Sequence, residues 1–317
     1  MRHRLAIAVL FVLAAAPAQE PQTEQQRAVL VTGASSGIGR KTTELLADNG
    51  FFVYAGARKA EDLAALDAIA NVQGVRLDVT SQADIDAAVE TVRDGGRGLW
   101  GLINNAGVVV LGPLIELREQ DLTFQFDVNV YGPYRVTKAF APLLIESRGR
   151  VATTGSISGH VTWAMGGAYT MSKHAVEAFS DTLAAELQPF GVAVTVVDPG
   201  NFKTRIMTSM RERLEASGYT TEGSRYRERL DRMLDRATDR TAFPEPDAVA
   251  AAFLAALTVD RPQRRYMVTP NRREADLTLR AAFDRIAQLN GTGADALGRD
   301  QLVEMLDAAL QREREAR

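Results

Sequence analysis

From residue 27 onward, short unbroken apolar runs of strand length alternate with segments in which apolar residues recur every three to four positions, the spacing of an amphipathic helix. Such runs, together with mixed stretches rich in β-branched and aromatic residues, predict strands at residues 28–31, 51–55, 75–77, 99–103, 151–155, 192–197 and 265–268. The periodic segments predict helices from 37 to about 49, at 61–69, at 82–92, from about 120 to 146, from about 166 to 188, and at 247–257. Strands that are apolar on both faces and alternate with helices in this way build a parallel sheet covered on two sides. The expected fold is therefore α/β, a Rossmann-like doubly wound parallel sheet forming a single domain over residues 27–270.

Other stretches fall outside that alternation. Within residues 205–243, Tyr226, Leu230, Met233, Leu234 and Ala237 share one helical face, which fits a lid over a substrate and fits a surface helix equally. Residues 271–317 form a C-terminal helical extension with amphipathic patterns at 276–289 and 299–312, whose mixed charge favours packing over contact with a membrane surface. At the other end, Arg2 and Arg4 precede an apolar run at 5–16 and the small residues Ala16 and Ala18, the layout of a signal peptide or anchor over residues 1–18. That run is shorter than the roughly 20 residues that span a bilayer. Residues 19–26 read as a polar tether.

Composition narrows the function. At 317 residues and 46% hydrophobic, the chain can fill the core of one large domain. A net charge of -3 with intermixed signs carries no nucleic-acid footprint. The absence of cysteine excludes disulfides and thiolate chemistry. His3, His160 and His174 lack ligand spacing, so no metal is expected.

Candidate chemistry centres on Tyr169 and Lys173, which lie one helical turn apart and project from one face. An ammonium beside a phenol favours the phenolate, which makes Tyr169 a candidate general acid/base. Ser156, at the end of the strand at 151–155, places a hydroxyl where it can hold a substrate oxygen. The first strand runs into Thr32, Gly33, Ser35, Ser36, Gly37, Ile38 and Gly39 and then a helix, a turn that lets backbone approach a pyrophosphate at a helix N-terminus. The second strand ends at Arg58 with no acid beside it, which suits a 2′-phosphate and favours NADP(H) over NAD(H).

Together with Asn105-Ala106-Gly107 after the fourth strand, Asn129 in the long helix, and Pro199-Gly200 followed by Thr204, these motifs make the chain resemble the short-chain dehydrogenase/reductase (SDR) family over roughly residues 27–270. The resemblance implies catalysis by Asn129, Ser156, Tyr169 and Lys173, with Lys173 orienting the ribose and lowering the tyrosine pKa, and Asn129 disturbing its helix to bind a water that leads to the lysine. It implies cofactor contacts at Asp78 and Val79, at Asn105, Ala106 and Gly107, and at Pro199, Gly200, Phe202 and Thr204, in addition to the glycine turn and Arg58. It also implies a homodimer or homotetramer assembled through the helices at 120–146 and 166–188.

The wording around residues 98–107, 149–151, 173–181 and 190–192 is similar to the retinol and hydroxysteroid dehydrogenase branch, which implies a lipophilic alcohol or carbonyl as substrate. Val108, Val109, Trp163, Met165, Phe202, Ile206 and Met207 are candidate pocket residues. His160 is a candidate substrate contact or an exposed loop residue. Two alternatives stay open. A 3-hydroxybutyrate-type dehydrogenase needs a cation, which His160, Lys203 or Arg205 supplies; a non-enzymatic dinucleotide sensor would have lost Tyr169 or Lys173, and both are present. Ala175 stands where enoyl reductases carry their lysine. The leader points to export or membrane association and a soluble cofactor points to the cytoplasm, so the compartment is left open.

Overall fold

A computed structural model describes residues 26–237, 239–291 and 293–316. The expected leader and all but residue 26 of the tether lie outside the described residues. Seven strands, β1 (Ala28–Val31), β2 (Phe52–Ala57), β3 (Val72–Arg76), β4 (Gly101–Asn104), β5 (Arg150–Thr154), β6 (Ala193–Pro199) and β7 (Arg265–Val268), form one sheet in the order β3-β2-β1-β4-β5-β6-β7. Every neighbouring pair is parallel.

The central strands are largely apolar because both faces are covered, whereas the edge strands β3 and β7 expose Gln73, Arg76 and Met267. In β1, Ala28 and Leu30 enter one core cluster and Val29 and Val31 the other, the two-residue period of a pleated strand. The first cluster is completed by α3 (Gln82–Asp94), α5 (Gly132–Ser147) and α6 (Gly167–Leu187), which contribute Ile85, Phe140 and Leu187. The second is completed by α1 (Gly37–Asp48), α2 (Ala60–Asp67) and α9 (Asp247–Thr258), which contribute Leu46, Leu66 and Phe253. Each such buried side chain stabilises the fold by about 1.5–3 kcal/mol.

Two differences from the sequence reading have local causes. Strand β3 begins at Val72, three residues before the apolar 75–77 run, because Val72 and Gln73 pair with Val53 and Tyr54 of β2. The long helix predicted at 120–146 is divided into α4 (Glu119–Phe126), a π-helical turn (Asp127–Tyr131) and α5. The lid region contains α7 (Ile206–Ala216) and α8 (Arg227–Ala237), and the extension contains α10 (Arg272–Asn290) and α11 (Arg299–Ala316). No helix among the described residues is long and apolar enough to cross a membrane.

The chain moves outward from β1 to β3, then returns to place β4 on the other flank of β1. That reversal leaves a crevice at the carboxyl ends of β1 and β4, the place where open α/β sheets bind ligands.

Candidate active site

The crevice begins at the turn between β1 and α1. Gly33 (φ +65°) and Gly37 (φ +54°) hold left-handed backbone that an L side chain strains to adopt. A methyl group at Gly33 would lie 2.9 Å from Cα of Ala106, and one at Gly39 would strike the Gly33 carbonyl and the Asn105 amide. This close approach is fixed from both sides. Thr32 Oγ1 accepts from the backbone N–H groups of Asn105 (2.9 Å) and Ala106 (3.0 Å), and Asn105 Nδ2 donates to the carbonyls of Thr32 and Gly33. Thr32 and Gly39 therefore act from behind the turn, while Ser35, Ser36, Gly37 and Ile38 line the open side at the N-terminus of α1. A bare backbone cradle at the positive end of a helix fits a pyrophosphate.

From there a cleft of about 810 Å³ runs along the sheet's carboxyl edge past Gly107, Asn129, Pro199, Gly200, Phe202 and Thr204. Arg58, Asp78 and Val79 line its far end. Arg58 is exposed, with its guanidinium 3.8 Å from Asp78. Burial alone would raise the Asp78 pKa, but two hydrogen bonds from Thr80 and the guanidinium groups of Arg58 and Arg76 hold it below the ordinary carboxylate value.

At the middle of the cleft, Ser156 follows the end of β5, and Tyr169 and Lys173 stand on the first turns of α6. Asp198 Oδ1 accepts from the Ser156 backbone N–H at 2.8 Å. Lys173 Nζ donates to the Thr154 carbonyl at 2.7 Å and lies 5.8 Å from the Tyr169 ring centroid. Burial pulls the Lys173 pKa down to about 8 against the opposing pull of Asp198 and Glu177.

One expectation is corrected here. The Tyr169 pKa does not lie below its ordinary value in this arrangement: burial pushes the phenol above it, and its hydrogen bond with Ser156 opposes that only in part. Asn129 lies in the π-helical turn, as the disturbed helix implied, and its carboxamide accepts from Val108 N–H (2.8 Å) and donates to the Val108 carbonyl and Ser172 Oγ.

Of the candidate pocket residues, Val108, Val109, Trp163, Phe202, Ile206 and Met207 line the cleft. Met165 is buried outside it, its carbonyl accepting from Gly112 N–H. His160 does not line the cleft and faces Asp198 Oδ2 at 3.2 Å, so it is a loop residue held by a buried carboxylate. Lys203 is paired with Glu245; Arg205 lines the cleft and is paired with Glu212.

Sequence reasoning missed several residues. Gln125, fully buried, pairs with Val108 and Val110 backbone beside Asn129, and only its spacing of one turn before Asn129 hints at this. Arg213 lines the cleft from α7, donating to the Val109 carbonyl with its guanidinium over the Phe124 ring. Leu277 and Ala281 of α10 form part of the cleft wall, so the extension contributes to the site. His160, Glu177 and Asp198 converge although no spacing links them.

A model of the short chain dehydrogenase family matches residues 27–215. The mitochondrial D-beta-hydroxybutyrate dehydrogenase of Bos taurus is 34% identical over 263 residues, covering 76% of this chain and 76% of that protein. Retinol dehydrogenase 5 of Mus musculus is 35% identical over 253 residues, covering 75% and 79%. A short chain dehydrogenase/reductase from Burkholderia phymatum, solved in complex with NAD, superposes with a TM-score of 0.72 at 28% identity, covering 86% of this chain and 99% of that one.

Proposed function

The chain belongs to the short-chain dehydrogenase family and is an NAD(P)-dependent oxidoreductase interconverting an alcohol and its carbonyl; from that premise we propose that Ser156, Tyr169 and Lys173 manage the proton at the substrate oxygen, that the substrate is lipophilic, and that NADP(H) is preferred. One observation carries this: the three side chains share a single cleft with the bare glycine turn.

The bound nicotinamide supplies the hydride acceptor or donor at carbon. Ser156 Oγ holds the substrate oxygen. Tyr169 Oη gives that oxygen a proton in carbonyl reduction and takes it back in oxidation, and the neutral phenol favoured by burial is the form that donates. Lys173, fixed by Thr154, places a cation near the phenol as it becomes phenolate. Asn129 and Gln125 hold residues 108–110 against α6, which keeps the wall around Tyr169 in place.

For the cofactor, the support is Arg58 at the end of β2, a cation without an acid at the position that would hold a ribose hydroxyl. For the substrate, it is the apolar wall of Val109, Trp163, Phe202, Ile206, Met207 and Leu277. Arg213 favours a second reading, a hydroxy acid whose carboxylate it would hold, in keeping with the hydroxybutyrate dehydrogenase similarity. The exposed Tyr131, Tyr134 and Met171 support an assembly of two or four copies through α5 and α6. Residues 1–18 are read as an export or membrane-attachment leader, which N-terminal sequencing of the protein from cells checks.

The decisive experiment measures NADPH and NADH oxidation against retinal, ketosteroids and short keto acids, with Tyr169→Phe as control. Turnover of the lipophilic carbonyls with NADPH is expected. Preference for keto acids transfers the assignment to the Arg213 reading, and full activity of Tyr169→Phe overturns the catalytic one.

A further inference from the structure

Three ionisable groups that the proton chemistry above does not use converge beside Ser156. Glu177 lies one turn beyond Lys173 on α6, Asp198 is near the end of β6, and His160 follows the 3-10 turn Ile157–Gly159. Their ligating atoms lie within 4.8 Å of one another, and none of the three residues lines the cleft. Asp198 and Glu177 are only 1% and 8% exposed.

The hydrogen bonds are specific. Asp198 is used at both oxygens, Oδ1 by the Ser156 backbone N–H at 2.8 Å and Oδ2 by His160 Nε2 at 3.2 Å. Glu177 Oε2 accepts from Arg265 Nε at 2.8 Å, while Glu177 Oε1 is buried with no hydrogen-bond partner. The surrounding elements bring further charge: Lys173 and Asp181 from α6, Arg265 from β7 and Arg264 just before it, with Arg265 Nη2 donating to Asp181 at 2.6 Å. The turn after β5 is shaped around the carboxyl groups. A methyl group at Gly155 would strike Asp198 Oδ1 and lie 2.9 Å from Glu177 Oε1, and one at Gly159 would lie 3.1 Å from the same atom.

Two carboxyl groups buried side by side do not both ionise readily, and one shared proton resolves the conflict. A proton on Glu177 also turns its partnerless oxygen into a donor toward Asp198. Burial first, and Asp198 second, push the Glu177 pKa up to about 7. His160 is the member that reaches water, with 28% of its side chain exposed against 10% and 1% for the two acids. Its pKa is raised chiefly by the hydrogen bond to Asp198.

We propose that Glu177, Asp198 and His160 form a positioning network for the catalytic groups: Asp198 pins the backbone that orients Ser156, the carboxyl pair is the buried counter-charge of Lys173, and His160 exchanges the shared proton with solvent. The proposal rests on the reading of Ser156 and Lys173 as catalytic. As pH rises through neutrality, Glu177 ionises and adds negative charge near Lys173 just below the pH at which that ammonium titrates, so the pair keeps Lys173 cationic to higher pH.

Two measurements test it, one of them independent of activity. The chain has three histidines, so NMR titration of the imidazole signals, with His160→Gln identifying the resonance, isolates His160. It is expected to titrate above 6.5 and to fall toward that value in Asp198→Asn. An unmoved titration in a folded Asp198→Asn protein overturns the network, and where that variant does not fold, a shift of the same resonance in Glu177→Gln decides instead. In the pH profile of kcat, Glu177→Gln is expected to move the alkaline limb down by about one pH unit; superimposable profiles overturn the counter-charge role. The expected NMR shift in a protein that reduces no carbonyl substrate upholds the network and overturns the catalytic reading instead.

Discussion

Lys173 Nζ donates to the carbonyl oxygen of Thr154 at 2.7 Å, so the cation beside Tyr169 also fastens α6 to the end of β5. Activity is therefore expected to fall on the alkaline side with an apparent pKa near 8, where the buried ammonium loses its proton. Lys173→Met removes both roles. It is expected to lower kcat by about 100-fold or more and to cost about 1–3 kcal/mol in urea unfolding by leaving the Thr154 carbonyl without its donor.

Glu177 gives stability a pH dependence of determinable sign. Its pKa rises from 4.5 to about 7 on folding, so between those values the folded state holds the extra proton and stability falls as pH rises. Chemical denaturation at pH 5 and pH 7 is expected to show this decline in the parent protein and a smaller one in Glu177→Gln. Equal declines would show that the group is not buried as described.

Arg58→Asp replaces the cation at the end of β2 with an acid that can hold a ribose hydroxyl and repels a 2′-phosphate. The expected outcome is reversal of the NADPH preference, by about 10-fold or more in kcat/KM for each cofactor. Better turnover of NADH by the unmutated protein would refute the assignment.

Gly39→Ala places a methyl group against the Gly33 carbonyl and the Asn105 amide. Relief requires the β1–α1 turn to move off residues 105 and 106, at a cost of about 1–3 kcal/mol. Weaker NADPH binding by fluorescence titration and a lower Tm are expected together; neither change would mean that the turn tolerates displacement.

Leu277→Ala removes part of the apolar wall that α10 presents to the cleft. KM for ketosteroids or retinal is expected to rise several-fold while kcat for a short ketone stays within about twofold. Equal effects on both would place Leu277 outside the substrate's reach.

What the sequence made legible followed from locality. A strand such as 28–31 matched because an unbroken apolar run bounded by polar residues leaves one register in which both faces are buried. The glycine turn, Ser156, Tyr169 and Lys173 were readable because each group of residues is contiguous or one helical turn apart. Partnerships between distant segments were not: no local pattern shows that Asp198 meets His160, 38 residues away, or that Asn129 spends its carboxamide on Val108 and Ser172. The tyrosine pKa was misjudged for a related reason. Helical spacing gives the distance to Lys173, whereas desolvation depends on every element that closes over the ring.

The segment that defines the family ends at residue 215, while Leu277 and Ala281 reach the cleft from α10. Part of the cleft wall thus comes from a stretch beyond that match, while most of it, from Val109 to Arg213, lies within it. Replacing residues 271–317 by a relative's tail would therefore alter the wall at Leu277 and Ala281 alone and leave Ser156, Tyr169 and Lys173 in place.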